Sequence, residues 1–279
     1  MTPPRAEPFF LEAAAGERYC LHHAPQGPCR GAFVYVHPFG DEMNRTRRMA
    51  ALGARALAQA GYGVLQIDLA GCGDSSGDFG EARWQAWLDD VALARHWLER
   101  RHGGKAGVWG LRLGALLALD HAARTEDKPA RLLLWQPVLN GATYLTQVLR
   151  LRMAGDLIND KAQAGGADSP QALRVLLQGG TPVEIGGYLL APDFAAALDG
   201  LDANRLAPPL AVDWFEVVAA GDRPAPPAAQ RTAAAWAAAG PAPRLRTVAG
   251  PAFWASQEIT ECPALVQASV AALAEAVDA

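Results

Sequence analysis

The chain has 279 residues, of which 51% are hydrophobic and 19% are charged, with a formal net charge of −4. This composition is typical of a globular protein with one large core, and the slightly acidic balance gives no electrostatic reason to expect binding to nucleic acid or to an anionic membrane. The sequence begins without a basic segment followed by an apolar one and has no apolar stretch long enough to span a bilayer, so we expect a cytoplasmic protein.

The first half of the chain alternates predicted strands and helices. Residues 9–11 and 19–23 are predicted to form an antiparallel edge hairpin. Strands are then predicted at 32–36, 64–68, 105–109 and 131–135, and helices at 45–60, 84–101 and 113–123. This alternation indicates βαβ units and a mainly parallel sheet, which places ligands at the carboxyl ends of its strands.

The alternation is lost between residues 137 and 209. One helix is predicted at 142–158, where Leu145, Leu149, Met153 and Leu157 form an apolar stripe, and glycine-rich loops are predicted at 165–170, 179–182 and 186–187. We interpret 137–209 as an inserted cap, which leaves 1–136 and 210–279 as the core. The alternation resumes with a strand at 213–219, a helix at 228–239, a strand at 244–248 and a helix at 263–277.

A strand-turn-helix motif with two glycines lies at residues 105–119. It has the form of a nucleophile elbow, G-x-S-x-G, in which the glycines remove Cβ atoms that would clash and the central residue is strained. Here the central residue is Arg112, between Gly110 and Gly114. A guanidinium is always charged and cannot act as a nucleophile at ordinary pH.

With this elbow and the loops at 37–44, 69–77 and 220–224, the chain from about residue 32 onward resembles an α/β-hydrolase of the serine peptidase and esterase type. The stretches 37–48, 109–115 and 134–141 also resemble the family of exosortase A system-associated hydrolase 2. The resemblance implies an α/β-hydrolase fold, with a mainly parallel central sheet flanked by helices and an inserted cap. The second family implies an association with bacterial exopolysaccharide and protein-sorting systems, without an established substrate.

The resemblance also implies where a catalytic triad should lie, and the sequence departs from it twice. Arg112 stands at the nucleophile position, and Asp222 matches the acid position. The base is expected at residues 249–254, but no histidine occurs there or anywhere after His121. The triad is therefore degenerate, and a serine mechanism is not expected.

The sequence departs less from the resemblance at the oxyanion site than at the triad. By resemblance, it would consist of the backbone N–H groups of Leu113 and Phe39. Arg112 at the start of the helix would add a guanidinium to these amides and to the helix dipole. The sequence therefore predicts a positive site that favours a carboxylate, a phosphate or an acyl-type ligand.

Several residues have two or three interpretations. Arg112 could form a buried ion pair with Asp222, Asp41 or Glu42, bind an anion, or take part directly in chemistry. His37 could hold the oxyanion loop or act as a general base. The polar cluster that follows the strand at 32–36 could be a solvated helix start or part of the site; it consists of Asp41, Glu42, Asn44, Arg45, Arg47 and Arg48.

Other candidates have a structural interpretation beside the functional one. Cys72 is a small buried residue or a nucleophile, and Glu258 serves a helix dipole or replaces the missing base. Trp135, Phe253 and Trp254 are core or pocket wall rather than a substrate platform.

Two functions from different classes follow. The first is an atypical hydrolase of acyl or ester bonds, in which a carboxylate or His37 activates water. The second is a non-catalytic anion-binding or scaffold protein derived from a hydrolase, with a protein of an exopolysaccharide system as a possible partner.

We predict no metal and no cofactor. Cys20, Cys29, Cys72 and Cys262 are scattered without metal-ligand spacing, which fits free thiols in a reducing compartment. The glycine loops lack the dinucleotide and P-loop patterns.

Overall fold

The computed structural model describes residues 6–158 and 169–275, and of 152–158 only the backbone. The side chains of Met153 and Leu157, and residues 165–168 of a predicted loop, lie outside the described part. None of the described helices is both long and apolar enough to cross a membrane.

A central sheet of eight strands confirms the predicted α/β fold. The described part of the chain has ten strands, eight of them in this sheet: Ala6–Glu12 (β1), Glu17–His23 (β2), Gly31–Val36 (β3), Tyr62–Ile67 (β4), Gly107–Leu111 (β5), Leu132–Trp135 (β6), Val183–Ile185 (β7), Tyr188–Leu190 (β8), Val212–Val218 (β9) and Arg244–Ala249 (β10). The spatial order is β1-β2-β4-β3-β5-β6-β9-β10, and β7 and β8 form a separate hairpin. Pairs β1–β2 and β2–β4 are antiparallel, and the other pairs of the large sheet are parallel.

Helices cover both faces of the sheet. They are Asp41–Gln59 (α1), Trp84–His102 (α2), Leu113–Arg124 (α3), Gly141–Ile158 (α4), Pro170–Gln178 (α5), Pro192–Asp199 (α6), Pro227–Ala239 (α7) and Pro263–Glu275 (α8). Alternate residues of β6 enter different clusters: Leu132 and Leu134 pack with α2 and α3, whereas Leu133 and Trp135 pack with α1 and α8. Because both faces are buried, the central strands are continuously apolar.

Helix α1 begins four residues before the predicted start. Gly40 has a φ of 54° at the turn that precedes it, and Asp41 and Glu42 occupy the first helical turn. Acidic side chains are stabilised at a helix N-terminus, so the polar residues assigned to a loop continue the helix instead. This start places Glu42 on an ordered element at the carboxyl end of the sheet.

The segment between β6 and β9 contains α4, α5, α6 and the β7–β8 hairpin. Gly186 and Gly187 form the turn of this hairpin with φ values of 56° and 86°, and a type I′ hairpin turn requires positive φ at both positions. The hairpin and the helices α5 and α6 were not predicted from the sequence. The function of the segment as a cap stays a prediction.

Candidate active site at the elbow

The turn between β5 and α3 has the geometry of a nucleophile elbow. Arg112 joins the two elements with φ 54° and ψ −117°, a conformation that residues with a Cβ seldom adopt. A methyl group at Gly114 would overlap the carbonyl oxygen of Val36, and one at Gly110 would overlap the backbone of Ala115. Both glycines are therefore needed for the close approach of α3 to the sheet.

The Arg112 guanidinium is paired with Glu42. Its Nε and Nη2 both donate to Glu42 Oε1 at 3.2 Å, and the two side chains are 16% and 21% exposed. The guanidinium carbon also lies 5.4 Å from the Trp254 ring centroid and 5.8 Å from that of Tyr144. Of the three carboxylates proposed as partners of Arg112, Glu42 forms the pair.

Glu42 has a second partner and a perturbed acidity. The Tyr144 hydroxyl donates to Glu42 Oε2 at 3.3 Å. Burial raises the pKa of Glu42 above its ordinary value, and Arg112 opposes that shift. A carboxylate with a raised pKa is a better general base near neutral pH than an exposed one.

The two amides proposed for an oxyanion site are unpaired. Among the backbone bonds of residues 6–158 and 169–275, neither the Phe39 nor the Leu113 N–H donates to another residue. Leu113 is the first residue of α3, so its N–H lies at the positive end of the helix dipole. Both donors are therefore unpaired within the described residues, and Phe39 lines the cavity at Arg112.

A cavity of about 450 Å³ opens on this site. Its walls are mostly apolar and include Phe39, Val148, Ile185, Tyr188 and Trp254. Arg112, Glu42 and Tyr144 are polar groups in its lining. The cavity can hold an apolar chain with a polar group at the elbow.

A second cavity, of about 480 Å³, also contacts Arg112. It contains Glu216, a β9 residue that is only 3% exposed. Trp214 Nε1 donates to Glu216 Oε1 at 2.8 Å. Burial raises the pKa of Glu216 to about 7.

A comparison with known protein families identifies the family of this chain. Residues 27–174, more than half of the chain, match the family model described as serine aminopeptidase, S33. The chain belongs to the serine aminopeptidase S33 family. It is thus a member of a hydrolase family, and no curated protein sequence matches it.

Solved structures share the fold of this S33 family member at low identity. Est1E from Butyrivibrio proteoclasticus with bound ferulic acid is 14% identical, covers 97% of this chain and 100% of its own, and gives a TM-score of 0.71. A thermostable carboxyl esterase from Bacillus coagulans is 14% identical over 98% of both chains, with a TM-score of 0.62. A monoglyceride lipase variant from Saccharomyces cerevisiae is 14% identical over 100% and 95%, also with a TM-score of 0.62. At this identity the likeness shows the α/β-hydrolase fold.

Of the three positions at which the resemblance places a triad, the structure brings the loop expected to hold the base to Arg112, but not Asp222. Asp222 is exposed in the loop after β9 and lines neither cavity at Arg112. After β10, where the base is expected, Phe253 is buried and Trp254 covers the guanidinium. An aromatic ring therefore contacts the elbow residue from the loop expected to hold a base.

His37 lines neither cavity at Arg112, and two backbone contacts hold its ring. Its Nδ1 lies 2.7 Å from the Pro38 carbonyl oxygen and donates to it, and its Nε2 accepts the Leu69 N–H at 3.1 Å. Burial lowers the pKa of His37, so the ring is neutral with both nitrogens in use. These contacts favour the structural interpretation of His37 over that of a general base.

The remaining members of the polar cluster bind neighbouring elements. Asn44 Nδ2 donates to the Tyr188 hydroxyl at 3.1 Å and does not line the apolar cavity. Arg45 donates to Asp41 and to the carbonyls of Ala255 and Ser256. Arg47 pairs with Asp68, and Arg48 pairs with Glu261. The cluster thus links α1 to the loops around the site.

The other two candidates have structural environments. Cys72 is buried, and burial raises the pKa of its thiol to about 12, which disfavours the nucleophilic thiolate. Glu258 is exposed and lines neither cavity at Arg112.

One group of described residues has the spacing of a metal site: His96, Glu99 and Asp127. Arg95 pairs with both carboxylates, and Lys105 pairs with Asp127. These cations already neutralise the carboxylates, so the group does not suit a metal ion.

Sequence reasoning missed three residues around Arg112. Tyr144 and Glu216 lay inside an apolar helix stripe and an apolar strand, and Gln136 followed a predicted strand without a motif. The one available signal was Glu216, because a carboxylate within a buried strand needs polar partners.

Proposed function

We propose that this protein is an atypical hydrolase of acyl or ester bonds, in which Glu42 rather than a triad activates water. One observation carries this proposal: the mostly buried Glu42 carboxylate and Phe39, whose amide is unpaired, line the same apolar cavity, and the unpaired Leu113 amide follows the lining residue Arg112 in the chain. The acyl chain would occupy the cavity beneath the proposed cap at 137–209, with its carbonyl oxygen at the Phe39 and Leu113 amides. The shared fold of the Bacillus coagulans carboxyl esterase and the Saccharomyces cerevisiae monoglyceride lipase supports this substrate class.

The chemistry needs no nucleophile on the protein. Glu42 takes a proton from water while the water oxygen bonds to the carbonyl carbon. The resulting oxyanion is stabilised by the two amides and by the adjacent Arg112 charge. The carbon–oxygen ester bond then breaks, and Glu42 returns its proton to the departing alkoxide, giving a carboxylic acid and an alcohol.

The test is hydrolysis of 4-nitrophenyl esters with acyl chains of graded length, together with thioester and amide analogues. We expect slow turnover by the wild-type protein and at least a tenfold lower kcat/KM for Glu42→Gln, since general-base catalysis contributes roughly 10²–10⁴-fold. Glu12→Gln removes an exposed carboxylate at the far edge of the sheet and serves as the matched control. Absence of turnover across the series, or equal activity of Glu42→Gln, overturns the proposal.

A second candidate is non-catalytic binding of a small carboxylate. It is favoured by the Arg112 guanidinium, which Glu42 and two aromatic rings hold in place at the cavity. A guanidinium can bind a carboxylate but cannot act as a nucleophile. Titration with octanoate, followed by calorimetry, distinguishes this function from hydrolysis. Saturable binding that Arg112→Met abolishes, without any ester turnover, supports it, and equal affinity of the folded variant contradicts it.

The biological setting is part of the proposal. The resemblance of residues 37–48, 109–115 and 134–141 to exosortase A system-associated hydrolase 2 supports a cytoplasmic role beside an exopolysaccharide system. Deleting the gene in its host should alter the exopolysaccharide produced. Unchanged exopolysaccharide, or recovery of the protein outside the cytoplasmic fraction, would count against this setting.

A further inference from the structure

The second cavity at Arg112 differs in chemistry from the first. It lies between the beginning of α4, the carboxyl ends of β6 and β9, and α7, and it shares Arg112, Tyr144 and Gln147 with the apolar cavity. Its volume of about 480 Å³ is within the range of small-molecule sites, roughly 300–1,000 Å³. Polar side chains form a larger share of its lining than in the first cavity, among them Gln136, Asn140 and Thr143, and they lie beside apolar residues such as Val138 and Leu139.

Glu216 is the central acceptor of this cavity. It is only 3% exposed to solvent, and Trp214 Nε1 donates a hydrogen bond to one of its oxygens. The Gln136 side chain favours the charged form of the carboxylate, lowering its pKa, and Gln136 Oε1 accepts the Val217 N–H at 2.7 Å. A carboxylate offers about four acceptor sites, so acceptor capacity remains for a ligand.

The backbone around Glu216 is also specialised. Gln136 has a φ of 44°, the other positive value outside glycine besides Arg112 among the described residues. Its N–H donates to the Phe215 carbonyl at 2.8 Å, which ties it to β9. Strained backbone of this kind is concentrated at functional sites, and here it occurs at Gln136, beside the buried Glu216 carboxylate that lines the cavity.

The charges of the cavity nearly cancel. Glu216 is negative when ionised, Arg231 is an exposed cation on α7, and Arg112 is already neutralised by Glu42. An anionic ligand would meet the Glu216 carboxylate, and a cationic one would meet Arg231. A neutral ligand with many hydroxyl groups matches the amide, hydroxyl and carboxylate lining best.

We propose that this cavity binds a neutral polyhydroxylated group of the carbohydrate type, with Glu216 as its principal hydrogen-bond acceptor. The inference rests on the proposed function only for its consequence: the group would be the alcohol side of an ester whose acyl chain occupies the apolar cavity. Binding itself does not depend on turnover.

The test is binding of methyl glycosides of glucose, galactose, mannose and N-acetylglucosamine to the full chain, measured by saturation-transfer-difference NMR titration. We expect saturable binding of at least one glycoside and weaker binding of cyclohexanol, which has a ring of the same size but one hydroxyl. Glu216→Gln should weaken glycoside binding at least tenfold, since a hydrogen bond to a charged acceptor is stronger than one to a neutral amide. Glu126→Gln, an exposed change in the loop after α3, is the matched control.

A second variant keeps the test decisive if Glu216→Gln folds poorly. Thr143→Val removes only a hydroxyl from the lining and should weaken binding about threefold to tenfold, as expected for one neutral hydrogen bond. Binding of none of the four glycosides, or unchanged affinity in the folded variants, overturns the inference. Ester turnover without glycoside binding would overturn this inference alone, whereas glycoside binding without turnover would overturn only the proposed hydrolysis.

Discussion

Arg112 keeps the elbow conformation through backbone bonds that do not depend on its side chain. Its N–H donates to the Trp135 carbonyl at 3.0 Å, and its carbonyl accepts the Val138 N–H at 3.1 Å. Both partners belong to the end of β6 and the turn after it. The strained φ is therefore imposed by the neighbouring strand, and it is adopted here by an arginine, which cannot act as a nucleophile.

The pairing of Arg112 with Glu42 should be measurable as a coupling free energy. In a double-mutant cycle with Arg112→Met and Glu42→Gln, we expect a coupling of about 1–2 kcal/mol in urea unfolding, because both side chains are mostly but not fully buried. The Arg246–Glu275 pair, with side chains 31% and 59% exposed, is the control and should give less than about 0.5 kcal/mol. Equal coupling in the two cycles would mean that burial does not strengthen the elbow pair.

Replacing Arg112 by serine should not create a serine hydrolase. A serine at this position would have no histidine to take its proton, because Phe253 and Trp254 stand in the loop after β10. We expect Arg112→Ser to remain unlabelled by a fluorophosphonate probe under conditions that label an ordinary serine esterase. A covalent adduct on residue 112 would reveal an activating base that the structure does not bring to the elbow.

At the residue scale, the sequence predicted the position of Arg112 but not its surroundings. Three carboxylates were candidate partners, and the choice depended on where α1 begins, which a single sequence locates only to a few residues. Glu216 and Tyr144 approach Arg112 through long-range packing of β9 and α4. No local spacing encodes such a contact.

At the element scale, the junction of β5 and α3 depends on its glycines. Gly114→Ala should destabilise the protein by about 3 kcal/mol, because the added methyl group would overlap the backbone carbonyls of Val36 and His37. Gly200→Ala, at the end of α6, places its Cβ 3.6 Å from the nearest atom and should change the free energy of unfolding by less than about 0.5 kcal/mol. Equal losses in urea unfolding would contradict the close approach of helix and sheet.

The elements that the sequence predicted best are those with continuous apolar runs. Strands β3, β5 and β6 are buried on both faces, so their patterns need no tertiary information. The β7–β8 hairpin has three residues in each strand, too few to show alternation. Its exposed and buried residues are set by packing against the turn around Phe79 and against Phe39.

At the scale of the whole molecule, the sheet order explains why the two cavities meet at one residue. Strand β5 lies between β3 and β6, so the loops after β3, β6 and β9 surround the elbow on successive sides. The loop after β3 leads to Glu42 and the apolar cavity, while β6 and β9 bring Gln136 and Glu216 to the polar one. Topology alone predicted this edge of the sheet as the site, and only the insertion and side-chain packing divide it into two cavities.

Glu216 should make the stability of the whole protein depend on pH in a specific direction. Burial raises its pKa from 4.5 to about 7, and Trp214, Arg112 and Gln136 oppose that shift. Arg231 is the other cation that lines the cavity. The folded state therefore binds more protons than the unfolded state between these values, and the Glu216 contribution to stability falls as pH rises through this window. The full effect is about 3 kcal/mol, and Glu216→Gln should remove it.

The measurement is the free energy of unfolding of the wild type and of Glu216→Gln from pH 4 to pH 8. Burial lowers the pKa values of His22 and His121 to about 4, so these residues make stability rise with pH in both proteins. The difference between the two free energies of unfolding therefore isolates the contribution of Glu216. We expect the variant to gain on the wild type by about 3 kcal/mol across this range, while Glu126→Gln stays parallel to it. Parallel curves for Glu216→Gln would mean that the carboxyl group remains hydrated, and the polar cavity would then lose its buried acceptor.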